Sequence, residues 1–269
     1  MVFVKTVVLL LVGLVIGGGA VALLKGSGDD EKPDSSNPLG VSKVVGLSHP
    51  ISEDIPLWPG DPKVRFKEVA NFKDDGYFLR EFSIGEHSAT HMNAPNSFHA
   101  NGAGMDAYKD EDLIKPAVVI DVREQAAADP DYALTRDDLQ AWEDENGEVP
   151  AGSVVLLDTG WAEKWDDPKS FFGFDGKGNM HFPGFAGETT RFLLDERDIA
   201  GVGIDTHGVD PSLDETYATN TEVLKENRIV LENLTHLDQL PATGSTIVIG
   251  ALRLKGGSGT TVEVFGLVP

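Results

Sequence analysis

No cysteine occurs in the 269-residue chain, which excludes disulfide staples, thiolate metal ligands and a cysteine nucleophile. Any metal must rest on His, Asp, Glu or neutral oxygen donors. Positive charge is scarce as well. Twenty-two Lys and Arg stand against 44 Asp and Glu, a formal net charge of -22, and a surface of that sign opposes nucleic acid and anionic headgroups. No nucleic-acid partner is expected. There is no glycine-rich phosphate loop: Gly201, Gly203 and Gly208 border a strand end at the wrong spacing for a dinucleotide fingerprint. Internal repeats are absent too.

What is present begins with an apolar run. Residues 6–24 (TVVLLLVGLVIGGGAVALL) lie between Lys5 and Lys25 and are long enough to cross a bilayer, so 1–25 reads as a transmembrane anchor or a signal peptide. The acidic residues after Gly28 suit the outer side. The expectation is therefore a membrane-anchored chain with an extracytoplasmic domain, or a secreted one if the segment is cleaved, touching membrane through this segment only. Residues 26–37 (GSGDDEKPDSSN) contain no apolar residue to bury and compose a flexible acidic linker, which leaves 38–269 for one folded domain.

Within that domain the apolar runs 117–122, 154–157 and 246–249 read as buried strands, and 260–267 as a final strand after the turn-rich 256–259. Thr135 with Asp138 forms a capping arrangement for a helix through Trp142. A second helix is expected over 188–197, leading into a strand at 200–204, and a third over 215–226. The mixture is α/β.

Three of the seven histidines fall within thirteen positions, in Glu86 to Asp106 (EHSATHMNAPNSFHANGAGMD). His87 and His91 stand four apart, so a helical turn or a folded loop could aim both at one ion, and Pro95 with the β-like 77–84 favours the loop. Ordinary surface histidines would show the same spacing.

The segment from His87 to Phe98 resembles the pattern H-x-G-T-H-x-D-x-P-x-H-F of the metal-dependent cyclase and kynurenine formamidase family, to which isatin hydrolase is related. The likeness extends to Leu47-Ser48-His49-Pro50, Trp58-Pro59-Gly60-Asp61, Asp158-Thr159-Gly160-Trp161, Phe182-Pro183-Gly184, Gly203-Ile204-Asp205-Thr206, Val230 to Thr235 and Gly250-Ala251-Leu252-Arg253, in order along most of the chain. It implies a swivelling β/β/α single domain, a homodimer or homotetramer, and a divalent metal, zinc or manganese. The implied activity is hydrolysis of a formamide, cyclic amide, lactone or ester bond in a small substrate, arylformamidase-like.

Carried over position by position, His87, His91 and Glu232 match the family's metal ligands, while its aspartate is Asn93 and its later histidine is Asn220. Amide oxygens carry no formal charge, so one ion is expected rather than two. The family's proton-handling histidine is Ser97, which leaves His99 or His207 to act as general acid or base. Trp58, Trp161, Phe98 and Phe182 could line an apolar pocket, and His49, His181 and His236 read as structural or peripheral. The alternative is a non-catalytic small-molecule-binding protein on the same scaffold, with Asn93, Asn96, Ser97 and Asn220 forming a neutral polar pocket.

Overall fold

A run such as Val154 to Leu157, apolar at every position, is stable as a strand only where both of its faces are covered. In the computed structural model, which describes residues 40–269, all four are buried within β7 (Val154–Asp158). The other strands are β1 (Lys43–Gly46), β2 (Arg65–Ala70), β3 (Leu79–Ser83), β4 (His91–Asn93), β5 (Ile114–Asp121), β6 (Ala133–Leu134), β8 (Gly184–Phe185), β9 (Gly201–Ile204), β10 (Ile229–Glu232), β11 (Ser245–Ala251) and β12 (Gly259–Val268). The expected strands at 117–122, 154–157, 200–204, 246–249 and 260–267 are all found within two or three residues of their ends.

Strands β5, β7, β9 and β10 run parallel, while β11, β12 and β4 are antiparallel to their neighbours. The eight-stranded sheet has the order β1-β12-β11-β5-β7-β9-β10-β4, and β4 pairs again with β12, so the sheet closes on itself as a barrel. Closure leaves no free edge at the shortest strand of this sheet, β4, which carries His91.

Period-two alternation sorts the side chains. Val154 and Leu156 join Met92, Val119, Leu231, Ile247 and Val264 in one core, and Val155 and Leu157 join Ile120, Val202 and Val230 in a second. The second core is covered by helices Arg136–Asn146 and Gly187–Arg197, which contribute Leu139 and Leu193. Thr135 and Asp138 form the expected capping box, with the Asp138 amide donating to the Thr135 hydroxyl.

Two expectations are corrected. The third helix runs only over Ala218–Val223, because the Asp214 carboxylate accepts from the amides of Thr216 and Ala218 and Tyr217 adopts a left-handed φ of 51°. The membrane and transmembrane reading, and with it the anchored extracytoplasmic placement, is not retained: among the described residues no helix is long and apolar enough to cross a membrane. The segments 1–25 and 26–37 on which the anchor and linker were read lie outside the described residues.

Candidate functional site

Strand pairing assembles the site. In the register of β4, His91 lies opposite Glu232 of β10 on one side and opposite Thr261 of β12 on the other, while Asn93 lies opposite Gly259. His91 and Asn93 share a face, and Met92 between them points into the core. His87 precedes the strand in a turn whose Ala89 has φ 56°, where the family pattern carries glycine. That left-handed residue aims its carbonyl at two donors, Nδ2 of Asn233 at 2.7 Å and Nδ1 of His91 at 2.9 Å.

Beside these groups opens a cavity of about 500 Å³. His87, Asn93, Asn220, Glu232 and His207 line it, with Trp58, Phe98, Phe182 and Tyr217 as walls. Asp61, Asp210, Asp214 and Glu215 add acidic groups to the lining, which among the described residues contains no lysine or arginine.

The direction of the hydrogen bonds fixes which atoms offer lone pairs. Nδ2 of Asn220 donates to Asp210 at 2.9 Å and to Glu232 Oε1 at 3.3 Å, so two carboxylates hold that amide in one orientation. Its carbonyl oxygen then accepts from Nδ2 of Asn93 at 3.1 Å, and Asn93 must turn Oδ1 toward His87, 2.8 Å from Nδ1. The other nitrogen of His87 is 3.0 Å from the Ser258 hydroxyl.

His91 supplies the fit test for a metal. Nδ1 donates to the Ala89 carbonyl, so in the neutral ring Nε2 bears a lone pair. That buried nitrogen has no hydrogen-bond partner, yet Glu232 Oε2 lies 2.9 Å away. Two acceptors at that separation call for a positive charge between them, a proton or an ion. The His87 ring centroid is 5.5 Å from that of His91 and the His207 centroid 5.6 Å from it. Among the described residues no three His, Asp or Glu side chains form a group that could hold a metal by themselves. The donor set fits one ion only when the Asn93 oxygen is counted with the imidazoles and Glu232.

Electrostatics keeps these groups in the forms such a set needs. Burial would raise Glu232, but His91, His207 and Asn220 outweigh it and hold the carboxyl down to about 2. Burial, with His91 beside it, pushes His207 down to about 4, and the same two causes lower His87. Both rings are therefore neutral near pH 7.

The other expected residues fare differently. His207 follows β9, is buried, faces the cavity, and leaves Nε2 without a partner. Ser97 also lines the cavity, but its hydroxyl proton goes to the Ala94 carbonyl at 2.6 Å. His99 is not brought to the site; its Nε2 lies 2.9 Å from the carbonyl of Thr221. Trp161 is buried away from the cavity, bonding the Phe171 carbonyl through Nε1. Sequence reasoning missed Asp210, which orients Asn220, and Tyr217, whose ring meets Phe98 at 5.8 Å. No spacing signal could have found them.

The Cyclase family model matches residues 45–211. An isatin hydrolase of Roseibium aggregatum is 32% identical over 237 residues, 84% of this chain and 89% of that protein. The solved structure of isatin hydrolase A from Ralstonia solanacearum superposes with a TM-score of 0.79 at 32% identity, covering 84% of this chain and 92% of the other. A structure described as a potential metal-dependent hydrolase with cyclase activity superposes at 0.65, with 22% identity over 84% of this chain and 98% of its own, which extends the shared fold. The chain belongs to the cyclase family.

Proposed function

We propose that the chain is a metal-dependent hydrolase that opens a small, uncharged, aromatic cyclic amide or lactone. The observation that carries the proposal is the meeting of two acceptors beside the cavity, the unpartnered His91 Nε2 and Glu232 Oε2, 2.9 Å apart. His87, His91, Asn93 and Glu232 would hold one divalent ion, zinc or manganese, with Asn220 held by Asp210 to orient Asn93. Bound there, the ion would supply Lewis acidity toward a carbonyl and a water of lowered pKa.

The residues of the chain do the rest. Trp58 and Phe182, whose rings lie 6.2 Å apart, offer apolar surface to a flat substrate. His207, neutral and with a free Nε2, would take a proton at that atom and return it to the departing nitrogen or oxygen. Ser97 keeps oxygen lone pairs toward the cavity for a substrate N–H, while His99 is given no part. The acidic lining repels anions, so ring opening, which creates a carboxylate, turns an accepted substrate into a rejected product.

Turnover of isatin-like amides and lactones by the chain supplied with zinc or manganese tests this reading, and no turnover across the panel with or without His91→Ala would refute it. A second reading, a non-catalytic binding protein, is favoured by the neutral amides Asn93 and Asn220 and the Ser97 hydroxyl in the cavity lining. Chain purified without metal but with a small molecule in the cavity would select it. A homodimer or homotetramer is also proposed, supported by the exposed side chains Phe72, Tyr77, Phe78 and Phe82 around the β2–β3 hairpin, and light scattering tests it.

A further inference from the structure

Glu86 and Ser258 lie outside the cavity lining, at the rear edge of the His87 ring. Ser258 immediately precedes β12. Its Oγ is 2.7 Å from Glu86 Oε2 and 3.0 Å from His87 Nε2, and its backbone amide donates to the same Glu86 oxygen at 2.7 Å.

A serine hydroxyl has one proton to give. The nearer, charged carboxylate takes it, so Oγ turns a lone pair to His87 and competes with Asn93 Oδ1 for the one proton of the neutral ring; at Nε2 that proton extends the chain from hydroxyl to carboxylate. A neutral imidazole protonated at Nε2 presents its lone pair at Nδ1, the nitrogen that faces the site. The opposite tautomer would satisfy Asn93 Oδ1 but would set the Nε2 lone pair against a hydroxyl whose proton is on Glu86. Backbone fixes the ring plane as well. A Cβ at Gly259 would lie 2.7 Å from Cε1 and 3.0 Å from Nδ1 of His87, so only glycine lets the ring rest against β12.

We propose that Glu86 and Ser258, with Gly259 beneath the ring, are positioning residues that lock His87 in its Nε2-protonated tautomer and aim Nδ1 at the ion. The aim toward an ion rests on the function proposed above; the tautomer does not. The pair acts through His87 and touches no substrate.

Nitrogen NMR of His87 in the full chain without added metal reads the tautomer directly. Wild type and Ser258→Thr are expected to show the Nε2–H form, and Ser258→Ala the Nδ1–H form, since Asn93 is then the only acceptor left. Glu86→Gln, which lies away from the cavity, should give a mixture, because a neutral amide competes less well for the serine proton. Nδ1–H in the wild type, or the same tautomer in wild type, Ser258→Ala and Glu86→Gln, overturns the proposal. In a parallel zinc titration Ser258→Ala should bind about 10–100-fold more weakly, with Ser258→Thr restoring most of the loss. Equal zinc affinity in wild type and Ser258→Ala overturns the aim toward the ion. A wild type that takes up no zinc while the tautomer still switches refutes the hydrolase reading and upholds the positioning claim.

Discussion

Two groups of buried carboxylates sit near the ends of neighbouring strands, and they are finished differently. Asp205, just after β9, receives four donors: the amide and hydroxyl of Thr159 on one oxygen, at 3.1 and 2.6 Å, and the amides of Trp161 and Ala162 on the other, at 2.7 and 3.3 Å. Glu232, at the end of β10, receives donors only on Oε1, from Val209 and Asn220, while Oε2 faces the lone pair of His91. A saturated carboxylate is part of the fold; one left facing another acceptor has room for a proton or an ion between them. Burial alone would not have told the two apart.

Breaking each side of that comparison should give opposite phenotypes. His91→Ala removes a lone pair from the proposed site, so turnover should fall roughly a hundredfold or more while the metal-free chain still folds. Activity assays paired with thermal unfolding check this. Asp205→Asn should do the reverse. Its amide hydrogens would face the N–H groups that now donate to the carboxylate, costing about 2–3 kcal/mol in denaturant unfolding, with metal uptake intact.

The fold is legible where burial on both faces forces an apolar run, as at Val154 to Leu157, or where a cap is local, as at Thr135 and Asp138. Of the candidate site, the residues His87, His91, Asn93, Asn220 and Glu232, which the fold brings together, were singled out through motif likeness. The double pairing of β4 was not, because three residues, His91-Met92-Asn93, carry too short a pattern to announce two neighbours. Nor was the partnership of Ser258 with Glu86, which joins positions 172 apart. His99 misled because it stands only two residues after Ser97, yet the chain there turns it to helix Ala218–Val223.

A pH titration of stability sharpens the comparison further. Beside Asp205, burial and then the Asp205 charge push Asp158 up from 3.8 to about 7 against the opposing Gly160 amide and Arg123. Between those values the folded chain holds a proton that the unfolded chain has released, so stability falls as pH rises through the window. Asp158→Asn should flatten that fall, which is on the order of 4 kcal/mol. The smallest effect belongs to Ala89. Its left-handed backbone costs about 1 kcal/mol, so Ala89→Gly should stabilise the chain by about that amount, read from the denaturation midpoint, without altering metal content.

Elemental analysis of the chain after equilibration with zinc or manganese and removal of excess tests the central claim most directly. One ion per chain, lost in His91→Ala and in Glu232→Gln but kept in Asp205→Asn, is the predicted result. No bound ion in the wild type, or a full complement retained in His91→Ala, would contradict it.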